Sequence, residues 1–319
     1  MINTEILDAI IETVVKELDA LDRSPATSLP VPAPAPAKVP VAPATLSAPA
    51  TLSAPATLSA PAALSSPVAP PRQAGIARPV DGDGLAALME STTARIGVGR
   101  AGPRPPTGQL LAFQADLAVT KDALTRVVDP GLLDELGLFT VRTRVEGGTE
   151  EYLRRPDLGR RLSEAAMTEI AGRCTKNPDV QLCVGDGLSA QAIEANLRRI
   201  FPVIKSGCAT AGLSFGTPFF IERCRVGVMN DIGEVLAPRV LILLIGERPG
   251  LGRADAMSAY MGYRPHSGLS DADRDVVCNI YDGGGVNPLE AGAYVLRLAQ
   301  RMIQAGASGV KLKLMEEPA

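Results

Sequence analysis

Residues Val240 to Ile245 are six aliphatic side chains in a row, with no polar interruption. Such a run predicts a strand buried on both faces, the kind found inside a parallel sheet. It stops at Gly246-Glu247-Arg248-Pro249-Gly250, where two glycines and a proline make a tight, exposed turn. An acid and a base therefore stand at the carboxyl end of a central strand, the edge at which open α/β sheets bind ligands. Taken alone, the turn equally fits a surface loop with a local ion pair.

The sequence around this strand reads as alternating strands and helices. Val180 to Val184 is a predicted strand, and Gly185-Asp186-Gly187-Leu188-Ser189-Ala190 a turn. Ser189 is placed to cap a helix reaching about Ala211. Leu213 to Ile221 reads as extended, Arg225 to Asp231 as a short strand or turn, and Ile232 to Leu236 as a helical turn ended by Pro238. Pro288 to Gln304 reads as a long helix with Ala291, Tyr294, Val295, Leu298 and Met302 on one face, and Gly309 to Leu314 as a last strand. This alternation predicts a parallel sheet with right-handed crossovers.

The amino-terminal half is organised differently. Ile6, Leu7, Ile10, Ile11, Val14, Val15, Leu18 and Leu21 place one apolar stripe on a helix over residues 3 to 22. A Pro/Ala/Ser/Thr tract follows from Ser24 to about Ile76, with the hexapeptide APATLS three times between Ala42 and Ser59. It has too little bulky apolar area to offset chain entropy and reads as an extended spacer. A helix on such a tether reads as a docking tag. Gly84 to Arg95 and Gln109 to Val128 are predicted helices, separated by a Gly/Pro-rich loop carrying Arg100 and Arg104. Thr140 to Val145 can be a strand. Four arginines then fall at 154, 155, 160 and 161, around Pro156 and Gly159, on a loop entering a helix with Asp157 as its expected cap. Arginine at that density suits a partner's carboxylates.

Composition narrows the chemistry. A net charge of -3 gives no electrostatic case for nucleic acid. No apolar run approaches the roughly 18 residues that span a bilayer, and a basic leader with a cleavage site is missing, so neither membrane nor secretion is expected. Cys174, Cys183, Cys208, Cys224 and Cys278 are widely spaced without a CxxC, which suits reduced thiols rather than a zinc site. His266 is the only histidine, so a multi-histidine metal cluster is excluded. GDGLSA matches the glycine pattern of a dinucleotide turn. No carboxylate follows about 20 residues on, however, and Asp186 would repel a pyrophosphate. What remains is an α/β ligand-binding body with no self-sufficient catalytic constellation: a subunit that holds a cofactor or completes a partner's site.

The blocks TVRTRV, EEYLRRPDLGRRL, VGDGLSAQAI, GTPFF, RVGVMNDIGEVL, LLIGERPGL and DRDVVCNI, in order between about Leu85 and Leu314, resemble the small subunit of ethanolamine ammonia-lyase. The resemblance implies a Rossmann-like sheet that covers adenosylcobalamin opposite a large TIM-barrel subunit, in a hexamer of heterodimers. Ethanolamine is there converted to acetaldehyde and ammonia by radical chemistry, with the substrate on the large subunit. It implies cofactor contacts at Val226 and Glu247. The family's third contact is a cysteine in D-R-x-C-x-x-N-I; Val276 occupies that slot here, and Cys278 lies two residues on. A backbone contact is open to Val276, a sulfur contact is not. The family is often packaged in bacterial microcompartments, so the helix at 3 to 22 resembles an encapsulation tag for the shell. The expected organisation is a tag helix (1–23), a disordered linker (24–76), a mainly helical subunit-contact region (77–175) and an α/β cobalamin-binding domain (176–319). Two other readings stay open, a dinucleotide-dependent oxidoreductase and a non-catalytic shell adaptor.

Overall fold

A computed structural model describes residues 74–92 and 94–315. The expected tag helix and most of the Pro/Ala tract lie outside the described residues. The described strands are β1 (Phe139–Arg142), β2 (Val180–Gly185), β3 (Phe219–Glu222), β4 (Val240–Gly246), β5 (Met257–Tyr263) and β6 (Arg274–Ile280). They form one sheet in the order β1-β3-β2-β4-β5-β6. The pairs β1–β3, β2–β3 and β2–β4 are parallel. The pairs β4–β5 and β5–β6 are antiparallel.

The expected all-parallel sheet is therefore corrected to a mixed one. The chain does not cross over after β4; it turns back through residues 247–256 and again after Tyr263. Neither returning strand carries a long β-branched run. Met257 to Tyr263 is interrupted by the small residues Ser258, Ala259 and Gly262, and Arg274 to Ile280 mixes Arg274, Asp275 and Asn279 with two valines, so neither reads as a buried strand.

The helices are α1 (Gly82–Ser91), α2 (Thr107–Thr125), α3 (Pro130–Glu135), α4 (Gly148–Arg154), α5 (Glu164–Arg173), α6 (Ala190–Thr210), α7 (Val228–Leu236), α8 (Pro288–Ala305) and α9 (Val310–Leu314). Both faces of the central strands are covered. All seven residues of β4 are buried, as its uninterrupted aliphatic run requires. On one face Leu182, Val184, Ile242 and Leu244 pack against Ile193, Leu197 and Ile204 of α6 and Val295 and Met302 of α8. On the other, Leu241, Leu243, Ile245 and Phe219 pack against Ile170 of α5 and Met229 and Ile232 of α7.

Local signals explain where the elements begin and end. Ser189 accepts the N–H of Ala192 and caps α6, as its position predicts. α8 opens with Asn287 as cap and Pro288 in its first turn, and closes on Gly306 at φ 67°, the Pro-start, Gly-stop asymmetry of helices. Tyr294, expected on the buried face of α8, is 44% exposed. The helical turn expected at 232–236 begins earlier, so that 228–236 is one continuous helix and the expected short strand or turn at 225–231 is mostly absorbed into it.

Residues 310–314 form the short helix α9, not a strand. Gly309 adopts φ 64° and its N–H is held by the Asp275 carboxylate at 2.6 Å. That turns the chain away from the sheet. Five alternating residues do not by themselves distinguish strand from helix. Asp157 caps no helix either: its carboxylate pairs with Arg155, and Ser163 caps α5.

Candidate functional site

The parallel strands β2, β3 and β4 all end on one edge of the sheet. There three turns meet: 185–189, 223–227 and 246–250. The first two are locked together by a buried acid. Asp186 accepts the N–H groups of Arg223 at 2.7 Å and Cys224 at 2.8 Å. Burial pushes its pKa from 3.8 to about 7 despite these bonds. Tyr152, from α4, places its hydroxyl between the carbonyls of Gly187 (2.7 Å) and Cys224 (2.6 Å).

Gly187 and Gly246 let the first and third turns touch. Leu188 N–H donates to the Gly246 carbonyl at 3.1 Å. A Cβ on Gly187, at φ 59°, would lie 2.2 Å from that same oxygen. The glycines of GDGLSA therefore serve backbone packing between two strand-end turns. The helix N-terminus behind them is also closed, because Ser189 Oγ donates to the Ala254 carbonyl. With a buried carboxylate at its centre and the Leu188 and Ser189 N–H groups already bonded, this turn is poorly suited to a pyrophosphate, which argues against the dinucleotide reading.

The edge is open on the side of β5 and β6. Val276 there is 48% exposed and Cys278 is exposed, whereas Cys174, Cys183, Cys208 and Cys224 are buried. Val276 lies directly opposite Tyr260 of β5. Tyr260 and Val226 line the same cleft, about 540 Å³ in volume. The phenol's pKa is raised, chiefly by burial and then by the nearby Asp271, Glu247 and Cys278. The structure thus gathers Val226, Glu247, Val276 and Cys278 around Tyr260.

Glu247 is held in a set orientation. Its backbone N–H bonds to Ala256 at 3.0 Å, which begins the reversal into β5. Oε1 accepts both the Ser258 hydroxyl (2.6 Å) and the Asn279 N–H (2.7 Å). The second donor exists because the β5–β6 ladder shifts register between Met257 and Ala259, which places two residues, Cys278 and Asn279, opposite Ser258. Among the described residues, Oε2 has no hydrogen-bond partner. The alternative reading of the turn, a local ion pair, is not seen: Arg248 is exposed and has no partner among the described residues.

The four clustered arginines divide into two pairs. Arg154 binds Glu150 and Arg155 binds Asp157 on the surface. Arg160 and Arg161 face the cleft, where Arg161 Nε bonds both oxygens of the buried Asp231 at 3.0 and 3.1 Å.

Helix α2 braces the third turn from outside. Thr120 Oγ1 donates to the Gly250 carbonyl at 2.8 Å, and Asp116, paired with Arg95, lies beside Gly252. Ala123 is the one buried residue of this helix, whereas Leu110, Leu111, Phe113 and Leu117 are exposed. No helix among the described residues is long and apolar enough to cross a membrane.

Tyr260, Ser258 and Asn279 were not singled out from sequence. Their roles arise from the antiparallel return of β5 and the shift in β6. A tyrosine within an alternating stretch just after the GERPG turn is the one local hint. Compared with known protein families, residues 82–313 match the family model described as ethanolamine ammonia-lyase light chain (EutC).

Proposed function

The chain belongs to the ethanolamine ammonia-lyase light-chain family, and from that premise we propose that its open β5–β6 face covers adenosylcobalamin in a complex with a large subunit. A light chain implies such a large-subunit partner. Together the two would convert ethanolamine to acetaldehyde and ammonia.

The observation that carries this reading is the convergence of Val226, Tyr260, Glu247, Val276 and Cys278 on one uncovered face at the carboxyl edge of the sheet. A corrinoid suits these groups. It is a broad, largely apolar plane fringed with amides, and a site for it needs an apolar floor with a few directed polar atoms. Val226, Val276 and the Tyr260 ring supply the floor. Glu247 Oε2, fixed in place through Oε1, supplies an acceptor for an amide N–H. When bound, adenosylcobalamin supplies the carbon radical that removes a substrate hydrogen. This chain contributes binding, orientation and exclusion of water, and holds no catalytic group of its own.

Val276 meets the face through its exposed side chain and backbone, and Cys278 offers the nearest thiol. The exposed apolar residues of α2 and the paired Arg154 and Arg155 belong, in this reading, to the large-subunit contact. A hexamer of heterodimers, shell docking through residues 3 to 22 and a microcompartment location complete the proposal.

The test is ammonia-lyase activity on ethanolamine with adenosylcobalamin, measured for this chain, for the large subunit, and for the two mixed. Activity confined to the mixture supports the reading. A stable complex without activity would favour a non-catalytic adaptor.

A further inference from the structure

The turn that carries Val226 depends on its neighbours for its shape. Arg223 opens it at φ 57°, a left-handed conformation that is costly for arginine and persists where the surroundings enforce it. Three neighbours do so. Asp186, in the turn after β2, accepts the Arg223 N–H on one oxygen at 2.7 Å and the Cys224 N–H on the other at 2.8 Å. The Tyr152 hydroxyl reaches the Cys224 carbonyl at 2.6 Å. The Gly159 carbonyl accepts the Arg225 N–H at 2.8 Å, and the Arg225 guanidinium stacks on the Tyr152 ring at 4.3 Å. Val226 follows directly and leads into α7, its carbonyl accepting the Met229 N–H at 3.1 Å.

Of these three supports, Asp186 is the one that changes state near neutral pH. Burial raises it to about 7. Tyr152 and Cys224 are pushed upward by burial and stay neutral there. The remaining charged groups around Asp186 are the Arg223 and Arg225 guanidiniums in the turn itself, Glu222 at the end of β3, bonded to Arg142 at 2.8 Å, and Arg126, bonded to Glu194 of α6 at 2.6 Å.

The two forms of Asp186 hold the turn differently. A carboxylate offers lone pairs to both N–H groups. Protonation turns one of its oxygens into a hydroxyl, a donor and a poorer acceptor, so one of the two bonds to the strained turn weakens. A cavity of about 50 Å³, bordered by Asp186, Thr149 and Ser189, has room for a water to which the proton can pass.

We propose that Asp186 is a positioning residue of the cofactor face: as a carboxylate it holds the turn 223–227, and so Val226, in the conformation that meets the corrinoid, and as a carboxylic acid it lets that turn relax. Corrinoid binding therefore favours the ionised form and releases its proton to solvent. Asp186 is buried behind the turn and acts through it. The inference rests on the corrinoid reading above and adds its regulation by pH.

The test uses the complex with the large subunit and cyanocobalamin, whose axial ligands do not titrate in this range. Affinity is read by equilibrium dialysis at pH 6 and pH 8, with assembly checked separately. About one tenth of Asp186 is ionised at the first pH and about nine tenths at the second, so wild-type affinity should rise about five- to tenfold. Asp186→Asn should bind more weakly at pH 8 and change less than about twofold between the two pH values. Tyr152→Phe loosens the same turn without removing the titrating group, so it should lose affinity by a similar factor at both pH values and keep the slope. A further readout needs neither variant nor corrinoid. Amide exchange of the peptide covering 222–228 in the wild-type complex, corrected for the chemical exchange rate, should show protection that increases from pH 6 to pH 8.

A flat wild-type affinity profile would overturn the proposal, and so would an Asp186→Asn complex that keeps the wild-type slope. If that variant fails to assemble, unchanged protection of 222–228 across the same pH range overturns it instead. A wild-type complex that binds no cyanocobalamin at either pH would refute the corrinoid reading, and the exchange measurement would then decide alone whether Asp186 holds the turn.

Discussion

Glu247 and Asn279 are joined across the full width of β5. The carboxylate that ends β4 accepts the backbone N–H of a residue in β6 at 2.7 Å. Asn279 sits at φ 57°, a left-handed conformation that asparagine tolerates and β-branched residues resist. That conformation and the register shift beside it aim the N–H at Glu247 instead of at the ladder. The orientation of Glu247 thus depends on one strained residue two strands away.

Asn279→Val should accordingly destabilise the chain by about 1–3 kcal/mol, whereas Asn279→Gly should be close to neutral. Urea unfolding of the two variants checks this. Equal stability would mean that the backbone at 279 is not constrained as the structure shows.

Gly187→Ala should be among the most damaging single-methyl changes available. It combines φ 59° with a contact of 2.2 Å to the Gly246 carbonyl. A loss on the order of 3 kcal/mol or more is expected, because backbone rather than a side chain must move. Thermal unfolding reads it directly. A control at Gly212, which has φ 66° but open space around it, should cost much less.

Asp186 makes stability fall as pH rises. The folded chain keeps the proton up to about pH 7, whereas an ordinary aspartate, at 3.8, releases it far earlier. The folded state therefore binds more protons than the unfolded state between those values. This group's contribution is complete below about pH 4 and is lost as pH climbs through about 7. Asp186→Asn should be less stable overall, since Arg223 and Cys224 donate to different oxygens and an amide NH2 in place of one of them cannot accept. Its unfolding free energy should nonetheless change less between pH 5 and pH 8 than that of the wild type, as urea titrations at the two pH values would show.

Cys278 is the one exposed cysteine of the five. In the complex, thiol alkylation should be confined to this residue and should slow about tenfold or more when hydroxocobalamin is added, the buried thiols having to wait for opening of the fold. Peptide mapping after brief alkylation distinguishes the sites. A rate at Cys278 unaffected by corrinoid would remove this residue from the covered face and leave Val276 as the contact there.

The parts of the fold legible in the sequence are those specified by neighbouring residues. The run 240–245 can only be an interior strand, Ser189 caps the helix that follows β2, and Asn287-Pro288 and Gly306 bound α8. The turn at Glu247 was legible for the same reason. β5 and β6 were not. Their sequences mix large, small and polar residues without a clean period, and they are strands because β4 offers them a free edge, a property of the sheet rather than of the segment. Gly309 likewise decides the fate of 310–314 through its bond to Asp275, 34 residues away. Glu247 and Val226 could be named through family resemblance, whereas Tyr260 and Asn279 acquire their roles only when the antiparallel return is in place.

The most direct test of the account is corrinoid affinity of the complex carrying Glu247→Ala. In this chain Glu247 Oε1 is engaged by Ser258 and Asn279, and Oε2 is the acceptor proposed for the ligand. The substitution should leave assembly with the large subunit intact and weaken hydroxocobalamin about tenfold or more, with Glu247→Gln retaining part of the affinity. Unchanged affinity in an intact complex would contradict the claim that the carboxyl end of β4 faces the cofactor.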